Sequence, residues 1–537
     1  MAEISKISGL AVASVSKVDS IAKASIANLL GLTFPSTGVD GFTFKIDTSL
    51  GDGTAAFFLP LSGTVNFTVH WGDGSSDVIT STGDAAMDHT YASGGVYSIA
   101  LDGVIGTWNS GTTTDITKVT DVEKWWTNFT AGTFQNFTSL TSDTATDYPA
   151  VTSLNSFYRS CSVFNGDIGN WDVSSVSNMF GMFQNASTFN NGGVVTGSGV
   201  GMDTWDVSNC TSFFGMFRGA GAFNCDIGGW TFSNSQNFVM SYMFLSAPSF
   251  NQNLGGWNME FCTLLNLAFQ GASSFNNGGV GGIGVGLDSW NVSNVTSLST
   301  IFTGATSFNQ PLNSWDVQSV TSMNSAFDGA TSFNQPLDSW VVTGVTGSME
   351  GMFRNAAAFS QDLNSWNVSS VSSMLDMFSG SAMTGDITSW SPSSVSTFAG
   401  MFRGTSFNQD IGGWNVSNST SFNAMFQNNS AFNQDISGWS TVKATNLSYM
   451  FQNAAAFNQN LSLWNIALVT NCSVMLTGSG MSTANYDALL IGWAAQAPSI
   501  QSGVSLSTGP QYTSAAVSAR NTLTSTYSWT ISDGGLV

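Results

Sequence analysis

Few side chains in this sequence are of the types that catalyse reactions. The chain of 537 residues has only two histidines, His70 and His89, and neither is placed for a nucleophilic triad. No GxSxG, HExxH or phosphate-binding loop occurs. Asp73 and Asp77 carry oxygen atoms that suit a hard cation such as calcium, although carboxylates that cap a loop explain them better. We therefore predict no catalytic residue, no metal site and no cofactor.

Several other aspartates recur at a fixed phase of a repeat. They precede an isoleucine or follow a tryptophan in successive copies, as at Asp167, Asp226, Asp410, Asp435, Asp172, Asp206 and Asp316. Recurrence of this kind is typical of a structural position, whereas a catalytic carboxylate pair would depart from the repeat. A solenoid that depolymerises polysaccharide is kept as an alternative, and it would lower the viscosity of a capsule preparation.

The cysteines form neither a CxxC pair nor a regular ladder. An odd number without the spacing of metal ligands indicates buried free thiols rather than disulfides. One of them stands where other copies of the repeat have methionine, which favours a buried position. The five are Cys161, Cys210, Cys225, Cys262 and Cys472.

The charge and hydropathy of the chain restrict its partners. The net charge is −21 and the pI is near 4.1, so the chain gains nothing from neutralising phosphates. We predict no nucleic-acid partner. Ser and Lys interrupt the apolar residues of the first twenty positions, which argues against a secretory signal, and no stretch is long and apolar enough for a membrane span.

The strongest pattern is a tandem repeat of about 25 residues, within the range of solenoid proteins. Its consensus runs Phe-Asn-x-x-apolar-x-x-Trp-x-Val-Ser-x-Val-Thr-Ser-apolar-x-x-Met-Phe. A unit this small cannot bury its own apolar side, so neighbouring copies must stack and share a core. The tryptophans predicted as the structural core are Trp171, Trp205, Trp230, Trp257, Trp290, Trp315, Trp340, Trp366, Trp390, Trp414, Trp439 and Trp464.

Each copy is expected to form one coil of a leucine-rich-repeat-like solenoid. The alternation Trp414-x-Val416 predicts a short strand, and Phe422, Met425 and Phe426 share one side of a helical turn. The asparagine that follows the first phenylalanine, as in Asn408, stands at a corner. Its amide can bind the backbone of the next coil and satisfy polar groups that a tight bend would leave unpaired.

These repeats resemble the BspA-like leucine-rich repeat surface proteins, in particular the variety with FNQDI-x-x-W-x-V-S-x-V-T-x-M-x-x-M-F. The resemblance covers the array and implies adhesion or surface display, on bacterial envelopes and in phage particles. Two copies depart from the pattern. Phe359-Ser360 lacks the asparagine and Met383-Thr384 lacks both residues, so we expect a locally weaker coil around Met383.

The part before the array divides into three segments. Residues 1–36 carry apolar residues with a spacing of eleven, and we predict a docking arm that contacts a larger assembly through Ile4, Ile7, Val15, Val18, Ile26 and Leu29. A flexible tail is the alternative. Residues 37–108 alternate as β-strands, and 109–160 are interpreted as a cap on the first coil. The array occupies 161–478, and 479–537 is predicted to be a C-terminal cap with two helices and a strand.

The β-rich segment 37–108 also carries a recognisable order of motifs. Trp71-Gly72-Asp73-Gly74 is followed by His89-Thr90-Tyr91 and then Gly95-Val96-Tyr97. This order resembles the PKD family of small immunoglobulin-like β-sandwiches. The resemblance implies a domain that spaces or presents another domain rather than an enzyme.

Two copies of the repeat contain glycine-rich insertions. Both insertions enter directly after Phe-Asn, so both leave the array on one edge, three coils apart. Their apolar residues are candidates for one ligand-binding patch, and packing of the two loops on each other is the alternative. The candidates are Val194, Val195, Val200, Met202, Val280, Ile283 and Val285.

Taken together, these features favour a non-enzymatic structural and adhesive protein. We expect a virion component of a bacteriophage, a fibre or decoration at the virion surface. The arm would bind other virion proteins and the solenoid would bind a glycan or protein of the host surface. A bacterial cell-surface adhesin is the alternative, and the sequence does not fix an oligomeric state.

Overall fold

The computed structural model describes residues 41–108, 114–125, 132–193 and 201–537. These residues form two units, which are considered separately. The first contains the described residues up to 125 together with Thr144–Ala150, and the second contains Gly132–Asp143 and Val151–Val537. The predicted docking arm, with Ile4, Ile7, Val15, Val18, Ile26 and Leu29, lies outside the described residues.

The first unit consists of antiparallel strands with alternating burial. Its strands are β1 (Phe42–Asp47), β2 (Ala56–Phe58), β3 (Leu61–Ser62), β4 (Asn66–His70), β5 (Ser76–Ile79), β6 (Asp88–Thr90), β7 (Val96–Val104), β8 (Thr107–Trp108) and β9 (Val119–Lys124). The main sheet has the order β9-β1-β7-β4-β5, while β2 pairs with β6 and β3 pairs with β8. Short 3-10 helices span Ala85–Met87 and Thr114–Lys118.

The sheet of this unit continues past the boundary expected at residue 108. Strand β9 pairs with β1, and its Val119 and Val122 are fully buried. Residues 116–125 therefore belong to the first unit with this sheet. Their assignment to a cap on the array was wrong, because periodic apolar residues alone do not show which neighbour covers them.

The second unit contains the repeats, with little regular secondary structure. Its strands are β10 (Ser142–Asp143), β11 (Phe238–Val239), β12 (Cys262–Leu264), β13 (Cys472–Leu476), β14 (Ser505–Thr508) and β15 (Thr530–Ser532). Its helices are α1 (Thr483–Ala494) and α2 (Val517–Asn521), the latter followed by a π-helical turn at Thr522–Thr526. Short 3-10 helices span Asn191–Gly193, Met202–Thr204, Asn277–Gly279 and Gly286–Ser289.

Neighbouring repeats are joined by a ladder of backbone hydrogen bonds. In the coil of Phe422, the N–H groups of alternate residues donate to carbonyl oxygens 24 residues ahead, over distances of 2.8–3.0 Å. The donors are Phe422, Ala424, Phe426 and Asn428, and the acceptors are Asn446, Ser448, Met450 and Gln452. Parallel bridges join Thr397, Ser421 and Asn446 of successive coils. We infer from this ladder that the array is a solenoid.

The local structure of a coil differs from the expected strand and helical turn. Residues 414–416 form no strand, and the parallel bridge lies instead at Ser421, before the Phe-x-x-Met-Phe segment. That segment is not helical, because Ala424 and Asn428 have φ angles of 55° and 59°. The intervening N–H groups of Met425 and Gln427 donate to Phe422 and Ala424 within the same coil, so only alternate N–H groups are directed to the next coil.

The interior of the array is filled with columns of aromatic rings. Each of the twelve predicted tryptophans is at most 5% exposed, and rings of neighbouring coils stack, as in Trp390 and Trp414 at 6.0 Å between centroids. The indole N–H of Trp439 donates to the carbonyl oxygen of Ile411 in the preceding coil at 3.0 Å. Phenylalanines form further columns, for example Phe402 and Phe426 at 5.6 Å.

The corner asparagines form a second ladder along the edge of the array. The backbone N–H of Asn433 donates to Oδ1 of Asn408 at 2.9 Å, and that of Asn458 donates to Oδ1 of Asn433 at 2.8 Å. At the divergent copy, the Thr384 N–H donates to Oγ of Ser360 at 3.2 Å. A hydroxyl thus replaces the amide where the repeat departs from its consensus.

The last coil is covered by the helices and strands after residue 479. Helix α1 begins at Ser482, whose side chain accepts a hydrogen bond from the Asn485 N–H. Its Trp493 is fully buried and donates its indole N–H to the Leu461 carbonyl at 3.1 Å, as a repeat tryptophan does. Strands β13, β14 and β15 are parallel and continue the ladder.

Candidate functional site

The two insertions begin with the same anchored Asn-Asn-Gly-Gly turn. Asn191 and Asn277 are fully buried. Their side-chain oxygens accept the N–H groups of Ile168 at 2.8 Å and Leu254 at 2.7 Å. The glycine that follows Asn277 has a φ of 62°, in the left-handed region that favours glycine. Each insertion therefore leaves the array from a fixed point.

The insertions also rejoin the array in the same way. A Cβ atom at Gly169 would lie 2.3 Å from Cα of Gly201, and one at Gly255 would lie 2.6 Å from Cα of Gly286. These contacts allow no side chain, so the end of each insertion crosses closely over the preceding coil. The two loops are thus built into the array at both ends.

The predicted ligand-binding residues fall into three groups. Val194, Val195 and Val200 of the first insertion lie outside the described residues. In the second insertion, Val280, Ile283 and Val285 are 47%, 91% and 52% exposed.

Met202 is a correction, because its side chain is fully buried and cannot contact a ligand at the surface. It occupies the short 3-10 helix Met202–Thr204, where the chain has already rejoined the core. Its carbonyl oxygen accepts the indole N–H of Trp230 at 2.7 Å. Leu287 ends the second insertion in the same buried manner.

The exposed Ile283 borders an open groove of about 530 Å³. The apolar side of this groove includes Pro311, Pro336 and Val341, which come from the next two coils. Both prolines occupy the position before the apolar residue of Phe-Asn-x-x-apolar, where most other copies have aspartate or asparagine. The groove is therefore specific to two coils and is not a general property of the repeat.

Polar side chains border the same groove. Asp316, Gln318 and Gln335 line it, and they supply both acceptors and donors of hydrogen bonds. The carboxylate of Asp288 is almost fully buried and accepts N–H groups from Gly284 at 2.6 Å and Ser314 at 2.8 Å. Asp288 thus ties the insertion to the following coil, and it holds the wall of the groove in place.

The carboxylates of the Trp-Gly-Asp-Gly loop are occupied within the first unit. Asp73 accepts hydrogen bonds from Ser75 and lies 2.9 Å from Nε2 of His89. Its burial alone would raise its pKa, but the bonds from Ser75 and His89 outweigh that effect and lower the pKa to about 2. Asp77 accepts the indole N–H of Trp71 at 2.8 Å. Within the described ranges, no three acidic, histidine or cysteine side chains are grouped to hold a metal ion.

The cysteines are free and buried, in agreement with the sequence prediction. Burial raises the pKa of the thiols of Cys161, Cys210, Cys225 and Cys262 to about 12. The thiol of Cys472 is shifted upwards for the same reason. These thiols stay protonated at neutral pH, which makes them poor nucleophiles.

The stacked coils define a tandem-repeat protein. The family model described as "Mycoplasma protein of unknown function, DUF285" matches four successive segments, residues 99–194, 198–282, 279–385 and 380–488. The chain belongs to this family, and its repeats are of the BspA-like type. Two boundaries between the matched segments fall inside the glycine-rich insertions. No curated protein and no solved structure matches the chain. In the part that the structure describes, no helix is long and apolar enough to cross a membrane.

Proposed function

We propose that this chain is a non-enzymatic structural and adhesive protein whose repeat array binds a glycan or protein of a host surface. The observation that carries the proposal is Ile283, which is 91% exposed at the border of the groove. An exposed apolar cluster beside a concave surface is typical of an interaction site.

The rigidity of the second insertion supports this role. Asn277 anchors its start, and Asp288 ties its end to the next coil through Ser314. A loop held at both ends keeps Val280, Ile283 and Val285 exposed rather than letting them fold onto the array. Preorganisation of this kind lowers the entropy lost on binding.

The chemistry of the groove suits an uncharged polar ligand. Pro311, Pro336 and Val341 provide apolar contact, while the Gln318 amide and the side-chain oxygen of Gln335 provide hydrogen-bonding groups. The Nε2 atom of Gln335 donates to Asn309 of the preceding coil. The lining contains carboxylates but no cationic side chain. A neutral sugar chain or an uncharged peptide segment meets these requirements, whereas a strongly anionic ligand would be repelled.

We place the protein in the particle of a bacteriophage, as a fibre or decoration at the virion surface. In this proposal residues 1–36 dock onto other virion proteins, and the first unit is a PKD-like spacer. The motifs behind that resemblance pack together, since Trp71 stacks on His89 at 4.6 Å and Tyr91 donates its hydroxyl to the Trp71 carbonyl. An adhesin of the bacterial surface is the alternative, which the BspA-like repeats also suit.

The adhesive role is tested by Ile283→Ser with Leu463→Ser as the matched control, because Leu463 is 79% exposed in a regular coil. Fluorescently labelled full-length protein is titrated onto a panel of intact bacteria. We expect Ile283→Ser to weaken binding at least tenfold without lowering the melting temperature, and Leu463→Ser to bind normally. Equal binding by both variants, or no binding to any strain by the unmodified protein, would sink the proposal.

The location is tested separately with antibodies against the array. Electron microscopy of purified phage particles should show antibody at the particle surface. Labelling of bacterial envelopes without labelling of particles would favour the adhesin. A fall in the viscosity of a capsule preparation on addition of the protein would contradict the non-enzymatic role.

A further inference from the structure

A second surface with unusual side chains lies on the turn segments of four successive coils. Phe180 and Phe214 stack at 5.0 Å between ring centroids with an interplanar angle of 3°, and Phe214 contacts Tyr242 at 4.7 Å. The guanidinium carbon of Arg218 lies 5.7 Å from the centre of the Tyr242 ring. Leu267 occupies the corresponding position in the next coil. We call these five half-buried residues the aromatic patch.

Two residues of the aromatic patch have a backbone conformation that large side chains rarely adopt. The φ angles of Tyr242 and Leu267 are 63° and 58°. Glycine occupies the same position in the two preceding coils, at Gly181 and Gly215, with similar angles. Glycine would satisfy the ladder without strain. Tyr449 and Val474 occupy the same turn position in later coils with φ angles of 59° and 57°, so the aromatic patch is distinguished by the contacts among its side chains and not by strain.

Two of the arginines at the position of Arg218 are paired with carboxylates, whereas Arg159, at the same position, has no carboxylate within ion-pair distance among the described residues. Arg354 forms an ion pair with Asp328, and Arg403 forms one with Asp376 at 3.1 Å. In both pairs the aspartate comes from the preceding coil. Arg218 has no carboxylate within ion-pair distance among the residues the structure describes, although the chain carries a net charge of −21. The guanidinium of Arg218 therefore lies over the Tyr242 ring with no carboxylate to neutralise its charge.

The stacking of the rings decides between ligand classes. A sugar ring packs on the open face of an aromatic side chain, but Phe214 lies between Phe180 and Tyr242, and Arg218 lies over the Tyr242 ring, so only Phe180 keeps a face without a ring or cation on it. The partly exposed edges suit contact with apolar protein side chains. Aromatic residues and arginine are also the types that contribute most to protein–protein binding.

We propose that the aromatic patch binds a protein segment in which a carboxylate is flanked by apolar side chains. The carboxylate pairs with Arg218, and the flanking side chains cover Phe180, Phe214, Tyr242 and Leu267. This inference goes beyond the proposed function, because the patch uses a different segment of the coil from the groove at Ile283. It holds whether or not the groove binds a host surface.

The test uses a displayed library of random twelve-residue peptides, selected on the full-length protein. We expect enriched peptides with Asp or Glu between apolar residues. Arg218→Gln should weaken their binding at least tenfold, and glutamine is tolerated there because Gln184 and Gln270 occupy the same position. Arg403→Gln is the matched control and should bind the peptides normally.

Tyr242→Gly separates binding from folding. Glycine removes the ring and also the strain of the left-handed backbone, so this variant should lose peptide binding and keep its melting temperature. Ile283→Ser should bind the peptides as the unmodified protein does. Raising the salt concentration should weaken binding of the peptides, because the ion pair with Arg218 is partly exposed.

Three outcomes would overturn the proposal. The first is that the selection enriches no peptides with an acidic residue between apolar residues, or that the enriched peptides bind Arg218→Gln and Tyr242→Gly as tightly as the unmodified protein. The second is binding of hyaluronate or alginate that depends on Arg218, which would assign the aromatic patch to an acidic glycan. The third is self-association in sedimentation experiments that Tyr242→Gly abolishes, which would assign the patch to a second copy of the chain.

Discussion

At the scale of single residues, the tryptophans combine two stabilising contributions. Indole rings of neighbouring coils stack, as in Trp230 and Trp257, and from Trp230 onwards each indole N–H donates to a carbonyl oxygen of the preceding coil. Burial of the large ring stabilises the fold, and the hydrogen bond prevents the cost of an unpaired buried donor. This pairing explains why the position holds tryptophan rather than leucine.

Trp414→Ala should lower the free energy of unfolding of the array by about 3–5 kcal/mol, because it opens a cavity between coils. Trp414 is 3% exposed, and its ring lies 6.0 Å from that of Trp390. Urea unfolding followed by tryptophan fluorescence measures the change. Unfolding at the same urea concentration as the unmodified protein would show that the ring contributes little to the core.

Lys118 is a fully buried cation of the first unit. Its ammonium group lies 2.7 Å from Asp52 and 2.8 Å from Asp115, and it donates to the Ala56 carbonyl. Burial alone would lower its pKa, but the hydrogen bonds to the two carboxylates outweigh that effect and raise it. Hydrogen bonds from Lys118 and then Thr54 lower the pKa of Asp52 from 3.8 to about 2.

This shift predicts how the first unit responds to acid. A carboxylate whose pKa falls on folding adds stability above its unfolded pKa, and that stability is lost as the pH falls through the folded value. Asp52→Asn should therefore lower the melting temperature of the first unit by at most a few degrees at pH 6, and the difference should shrink as the pH falls from about 4 towards about 2. Calorimetric scans of both proteins between pH 2 and pH 7 test it. A difference as large at pH 2 as at pH 6 would rule out ionisation of Asp52 as the cause.

At the scale of one coil, backbone hydrogen bonds and the asparagine ladder hold neighbouring coils together, with few regular strands or helices. Alternate residues of the turn segment bond to the next coil, and left-handed residues such as Ala424 and Asn428 allow this. The corner asparagine joins coils at a second point. Each coil is thus held by polar contacts at its edges and by aromatic rings inside.

Asn433→Ala should destabilise the array by about 1 kcal/mol, because two donors lose their acceptor. Oδ1 of Asn433 accepts the Asn458 N–H at 2.8 Å and Nε2 of Gln459 at 2.9 Å. Ser360→Ala is the comparison, since the Ser360 hydroxyl holds the Thr384 N–H at the longer distance of 3.2 Å. Thermal unfolding should show the smaller loss for Ser360→Ala. The reverse order would mean that the amide column is not the stronger link.

At the scale of the whole molecule, the array is a sum of similar coils. Contacts in the ladder join each coil to its immediate neighbours, so the number of coils is not fixed by a closed core. The same reasoning explains how the insertions are tolerated. They add chain at one edge, while the Trp and Phe columns continue beneath them, as at Trp257 and Trp290.

Deletion of residues 407–431, one repeat of 25 residues, should give a folded protein with one coil fewer. Phe432 would then take the place of Phe407, and both the rings and the ladder would stay in register. Deletion of residues 407–418 is the control, because it brings the wrong residues into the columns. Circular dichroism and thermal unfolding should show a cooperative transition for the protein that lacks residues 407–431 and none for the protein that lacks residues 407–418. Loss of folding in both would contradict independent coils.

The sequence by itself determined the repeat, its period and the residues of the interior. Trp and Phe recur at a fixed phase, and stacked coils can bury so many large apolar side chains only in a shared interior. The role of the corner asparagines could also be predicted, because an amide that recurs at a bend can bond to backbone groups of the next coil. The BspA-like type follows from the same residues, and the family match supports it.

Only the tertiary structure decided the backbone of the coil and the makeup of both surfaces. The left-handed turn residues are of many types, among them Gly, Ser, Thr, Ala, Asn, Asp, Val, Tyr and Leu, so no single residue type marks them. Met202 was assigned to the surface, but it is buried because the insertion has already rejoined the core there. The aromatic patch depends on side chains that lie 24–34 residues apart in sequence, and only stacking of the coils brings them into contact.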